Sequence, residues 1–227
     1  MLGLLARRGQ MLDRMAASLP TRCHCYTADV RDATAMAHAA RDFMQRAGVP
    51  DIVIANAGIS VGNDSAQADD NPVFEEILST NLTGMLFTFQ PFLANMKQQG
   101  RGTLAGIASV AGFRGLPGAS AYSASKAAAI AYLESLRVEL RPSGVRVVTL
   151  CPGYIATAMT ERNPYPMPFL MPVERAARQI VRAIERDKRW QVLPWQMAIV
   201  GWLLRRIPRP IYDRLFSGIA RKPRRGA

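Results

Sequence analysis

The sequence predicts an α/β fold of the doubly wound kind, a parallel sheet covered by helices on both faces. Two observations carry that prediction. Apolar runs of strand length alternate with helical stretches from the first residues to about Pro152. Runs such as "DIVIANAG" and "VRVVTLCP" are apolar almost continuously rather than at every second position, the pattern of strands buried on both faces by right-handed crossovers. With 227 residues and 49% hydrophobic content the chain has the material for one domain with a substantial core.

The elements follow in order. "MLGLLARRGQ" reads as a strand ending in Arg7, Arg8 and Gly9. Leu12, Met15, Ala16 and Leu19 then recur at helical spacing and predict one buried stripe. "CHCYTADV" is a short strand ending at Asp29. Asp32 is placed to cap the helix "DATAMAHAARDFMQRAG", whose apolar face is Met36, Ala37, Ala40, Phe43 and Met44 and whose stop is Gly48. The strand "DIVIANAG" breaks at Gly58. A helical stretch from about Pro72 to Gln98 leads to the strand "GTLAGIAS", a helix from about Ser120 to Leu140 and the strand "VRVVTLCP". Residues 1–194 form the predicted domain and 195–227 a basic, amphipathic C-terminal extension.

Charge is unevenly placed. Of the net +12, most belongs to residues 174–227, which hold fourteen Lys and Arg against four acids. "RKPRRGA" lacks the aromatic interleaving of a nucleic-acid binder and is expected to be a solvated, frayed end. "VLPWQMAIVGWLLRRIPRP" joins Trp195 and Trp202 to Arg205, Arg206 and Arg209, which suits packing on its own domain, a partner subunit or a membrane surface. No leader and no span of about 18 apolar residues is present, so a cytoplasmic protein, with membrane contact at most peripheral, is expected. Cys23, Cys25 and Cys151 are odd in number and lack metal-site spacing, so neither a disulfide framework nor a bound metal is predicted.

"IASVAGFRGLPGASAYSASKAA" carries the chemistry. Tyr122 and Lys126 are four apart in a helix-forming context and so lie one turn apart on one face, while Ser109 ends the preceding strand. An ammonium beside a phenol favours phenolate and is expected to lower the tyrosine pKa toward the range of an acid or base catalyst. The serine hydroxyl is suited to polarising a carbonyl oxygen.

On this Ser-x12-Tyr-x3-Lys spacing, with "NAG" at Asn56–Gly58, "TNLTG" around Asn81 and "PGYIAT" at Pro152–Thr157, the chain resembles the short-chain dehydrogenase/reductase family. The resemblance runs through about Pro194 and implies a Rossmann-like fold. It implies that Tyr122 is the general acid or base, that Lys126 assists it and binds the nicotinamide ribose, that Ser109 holds the substrate oxygen and that Asn81 holds a relay water. Cofactor contacts fall to Asp29 and Val30 beside the adenine, to Asn56, Ala57 and Gly58, to Pro152, Gly153 and Ile155, and to Thr157 at the nicotinamide amide. Arg7 and Arg8 stand where an NAD-preferring member would carry an acid, so NADP(H) is expected over NAD(H). The resemblance also implies a homodimer or homotetramer and a small carbonyl or alcohol substrate.

The family's opening strand, TGxxxGxG turn and helix do not precede Met1 here. About thirty residues are therefore expected to be absent, with the loss of a central strand and of amides that would face a pyrophosphate. A catalytically silent binding or regulatory protein on the same fold is the competing reading. In "MTERNPYPMPFLMP", Met159, Tyr165, Met167, Phe169, Leu170 and Met171 suggest a lid over an apolar substrate, or simply a segment packed on the core.

Overall fold

The computed structural model describes residues 1–161 and 163–225. Strand β1 (Leu2–Ala6) leads through α1 (Gly9–Ser18) to β2 (Cys23–Thr27), and α2 (Ala33–Ala47) leads to β3 (Ile52–Ala55). Next come α3 (Asn71–Leu78), α4 (Gly84–Gln99), β4 (Thr103–Ile107), α5 (Ser120–Leu140) and β5 (Arg146–Pro152). Two-residue strands β6 (Ile155–Ala156) and β7 (Met171–Pro172) pair with each other before α6 (Val173–Glu185), β8 (Trp190–Leu193), α7 (Trp195–Arg206) and α8 (Arg209–Phe216).

All strand pairs are parallel. β3, β4, β5 and β8 form one sheet in that order, with Val53 opposite Leu104 and Leu104 opposite Val147. Both faces are covered, which explains the unbroken apolar runs. Leu104 packs with Phe89, Met96, Leu133 and Leu136 of α4 and α5, whereas Ala105, Val148 and Leu150 pack against Ala183 and Ile184 of α6.

β1 pairs only with β2 and forms a second sheet, in register from Leu2 opposite Cys23 to Ala6 opposite Thr27. Between β1 and β3 the sheet is divided. The resemblance places a further strand here, and no strand of the described residues occupies the position. Ile52 and Ile54 on the far face of β3 are 46% and 45% exposed, while Val53 and Ala55 are buried under α4. On α1 only Leu12 of the expected stripe is buried, and Met15 is 54% exposed.

Local signals hold where they are strong. Asp32 caps α2 by accepting from Ala35 N–H at 3.0 Å, and Gly48 ends it at φ 78°. The helical stretch expected over 72–98 runs unbroken, but Ser79–Thr83 within it form a wider, π-helical turn between α3 and α4. α6 and β8 had no sequence expectation. The apolar stripe of α6 is masked by five charged residues, and β8 has only four residues.

The C-terminal extension is built into the body. Met197 of α7 joins Ala108, Ile130, Cys151 and Val192, and the Tyr212 hydroxyl of α8 donates to the Gly115 carbonyl. The end expected to fray is docked, because its cations meet acids: Arg224 binds Asp70 at 2.8 and 3.1 Å, and Arg225 reaches Glu76 at 2.6 Å.

Candidate active site

β4 and β5 end side by side, and their ends carry the site. Ser109 follows β4 in extended conformation and its hydroxyl approaches the Pro152 carbonyl at 3.4 Å. The loop then turns into α5, which buries Lys126 and half-buries Tyr122 one turn before it. Lys126 is 4% exposed, and its ammonium donates to the Ile107 carbonyl at 2.8 Å and lies 5.8 Å from the Tyr122 ring centroid. Burial lowers its pKa to about 8.

The phenol departs from expectation. Burial raises the Tyr122 pKa above its usual value and the Ser109 hydroxyl pulls it down, with no lowering from Lys126. Burial takes the Lys126 pKa below that of the phenol, so the ammonium loses its charge before the phenol would ionise. A protonated phenol is the resting state.

Asn81, fully buried, sits on the π-helical turn. Its Oδ1 accepts from Ile59 N–H at 2.8 Å, and its amide donates to the Ile59 carbonyl at 3.0 Å and to Ser125 Oγ at 2.9 Å. Ser125 in turn donates to the Tyr122 carbonyl at 2.8 Å. Ser125, which the sequence did not single out, thus links Asn81 to the backbone of α5. The wider turn has no marker in the composition that could have revealed this. Gly58 passes so close that a Cβ there would lie 3.3 Å from Asn81 Oδ1 and 3.5 Å from Lys126 Nζ.

Arg7, Arg8, Asp29, Val30, Asn56, Ala57 and Gly58 line one cavity of about 880 Å³ at the division between β1 and β3. Asp29 is taken by Arg31, whose guanidinium donates to Oδ2 at 2.7 Å and to Oδ1 at 3.1 Å and depresses its pKa. Arg7 is 3.9 Å from the same carboxylate, and among the described residues Arg8 pairs with no acid. Arg31, two residues after Asp29, was the overlooked member of this group.

Pro152, Gly153, Ile155 and Thr157 do not line that cavity. They form a separate rim, where Gly153 N–H donates to the Leu193 carbonyl at 2.7 Å and Thr157 N–H to Thr160 Oγ1 at 3.0 Å. From the lid segment, Tyr165 comes near enough to Tyr122 for their charges to interact, and its pKa is pushed up to about 12, chiefly by burial. No group of three or more potential metal ligands occurs among the described residues.

Comparison with known proteins is consistent with this geometry. The family model for short chain dehydrogenases matches residues 2–166. An uncharacterized oxidoreductase of Myxococcus xanthus is 40% identical over 185 residues, covering 82% of this chain and 73% of that one. The 2-(R)-hydroxypropyl-CoM dehydrogenase of Xanthobacter autotrophicus is 35% identical over 136 residues, and the match spans 59% of this chain and 54% of that relative's length. Among solved structures, a short chain dehydrogenase from Burkholderia cenocepacia in complex with NADP superposes with TM-score 0.78 at 26% identity, covering 94% of this chain and 84% of that one. The chain belongs to the short chain dehydrogenase family, a family of oxidoreductases. Its fold therefore implies a nicotinamide cofactor, and the residues present fit one: Arg7 and Arg8 border a cavity whose wall runs to Gly58, and a Cβ at Gly58 would lie 3.5 Å from the Lys126 ammonium.

Proposed function

We propose that this protein is an NADP(H)-dependent oxidoreductase that interconverts a carbonyl and a secondary alcohol, with Tyr122 as general acid in reduction and general base in oxidation. The observation that carries the reading is the meeting of Ser109, Tyr122 and Lys126 at the ends of β4 and β5. When bound, the nicotinamide supplies the hydride. Tyr122, kept protonated by burial, gives its proton to the substrate oxygen, and Ser109 donates a hydrogen bond to that oxygen as negative charge grows on it. Lys126, one turn along α5 from the phenol, would hold the nicotinamide ribose. Asn81 fixes the loop after Gly58 against α5 and so holds the cleft in shape.

Arg7 and Arg8 would hold a 2′-phosphate, since Arg31 already engages Asp29. Asp29, Val30 and Asn56–Gly58 would border the nucleoside, and Pro152, Gly153, Ile155 and Thr157 the nicotinamide end. Met159, Phe169 and Leu170 are 40 to 49% exposed on the lid, which supports an apolar substrate body.

The test is NADPH consumption by the purified chain with an aliphatic methyl ketone, measured by absorbance against NADH. Turnover abolished in Tyr122→Phe supports the reading. Equal turnover in that variant removes it.

Further partners rest on surfaces. Trp195, Ile199, Trp202 and Leu203 are all at least half exposed on α7 beside Arg205 and Arg206, which suits peripheral contact with an anionic membrane. No helix among the described residues is long and apolar enough to cross one. A cytoplasmic location and a homodimer or homotetramer paired through α4 and α5 complete the proposal, with Leu86 and Val138 exposed on those helices.

A further inference from the structure

The C-terminal residues lie across the loop that follows Gly58, and their charges are not used alike. Arg221 stands 4.0 Å from Asp64, Arg224 holds Asp70 and Arg225 holds Glu76. Lys222 is different. Half-buried, it donates to the neutral Ser60 hydroxyl at 2.9 Å, and among the described residues no carboxylate reaches it. An ammonium has three donors, so this one keeps hydrogen-bonding capacity in a place where burial makes a bare charge costly.

Its placement is built rather than incidental. Gly62 N–H donates to the Pro223 carbonyl at 3.0 Å, and a side chain at Gly62 would collide with the Lys222 carbonyl. A Cβ on Gly118 would lie 2.7 Å from that of Arg221. Two glycines thus leave the channel in which this segment runs. Ser60 is only two residues past Gly58, within about 8 Å by chain length, and Gly58 abuts the Lys126 ammonium. Ile59 and Val61, on either side of Ser60, pack in one cluster with Tyr122.

We propose that Lys222 is a specificity-determining residue of the substrate pocket and receives an anionic group, a carboxylate, phosphate or sulfonate, carried by the substrate a short chain away from its carbonyl. The substrate class is then an oxo or hydroxy compound with an apolar body and a charged end: the lid covers the body and Lys222 the charge. This deepens the proposed oxidoreductase reading and rests on it for the identity of the reacting end.

The experiment compares 7-oxooctanoate with 2-octanone, which share a methyl ketone and differ in the carboxylate. Binding to the full chain is measured by calorimetry without cofactor, and turnover with NADPH in a separate assay. Expected is tighter binding of the oxo acid, weakened about tenfold or more in Lys222→Gln, largely restored in Lys222→Arg, and weakened by added salt. Arg221→Gln, whose charge Asp64 already neutralises, keeps the preference. Equal affinity of the parental chain and Lys222→Gln for the oxo acid, or no binding of it by the parental chain, overturns the proposal. Binding without turnover counts against the oxidoreductase reading alone.

Discussion

β1 and β4 are both five-residue apolar strands, LGLLA and TLAGI, yet they live in different surroundings. β4 has a partner on each edge and helices over each face, and its first four residues are buried. β1 has one partner and no buried residue. Strand burial is therefore a property of neighbours, not of the apolar run itself. The contrast also divides the site. Ser109, Tyr122 and Lys126 stand on the packed side of the molecule, while Arg7, Arg8 and Asp29 stand on the side held by a single strand pair.

The largest test of this division is chemical. Tyr122→Phe should lower turnover by about 10²- to 10⁴-fold with a thermal midpoint close to the parental one, read by NADPH absorbance and calorimetry. A loss smaller than tenfold would place the chemistry elsewhere. Next in size is packing: Leu104→Ala should cost about 2 to 5 kcal/mol in urea unfolding, and Leu4→Ala clearly less. In hydrogen exchange by mass spectrometry, β4 and β5 amides should exchange only through global opening and those of β1 and β2 through local opening. Matched protection in the two pairs would erase the contrast.

On the looser side, replacing Arg7 and Arg8 together by serine should reduce the preference for NADPH over NADH about tenfold or more, as measured by the two dissociation constants. The narrowest effect concerns pH. The folded pKa of Lys126 is about 8, below its ordinary 10.5, so the unfolded chain holds the extra proton between those values. The penalty for its burial is full below about pH 8 and is relieved as pH rises toward 10.5. The stability of the parental chain relative to Lys126→Met should climb through that window, and a flat difference would show that Lys126 is not desolvated.

The meeting of Ser109, Tyr122 and Lys126 was legible in sequence because its signals are local. Tyr122 and Lys126 need only helical spacing, and Asp32 needs only the first turn that it caps. The π-helical turn at Asn81 was not legible, since one extra residue per turn changes the bonding of a helix without changing its composition. Nor was the anchoring of the C-terminal segment. Arg224 and Asp70 are 154 positions apart, and no local pattern couples them. The Tyr122 pKa was misjudged for a related reason: spacing showed that Lys126 would be near, but not that burial would raise the phenol's pKa and lower the ammonium's to about 8.

Those distant anchors have a consequence for how the protein fails. The loop around Ser60 is secured by residues tethered to the body through the exposed Ser217–Ala220 connector. While that tether is whole, the segment finds the loop at a high effective concentration. A single proteolytic cut in the connector would turn an intramolecular contact into one between a protein and a free peptide, diluted away by ordinary solvent. The cleft would lose its charged wall although every group at Tyr122 stayed in place.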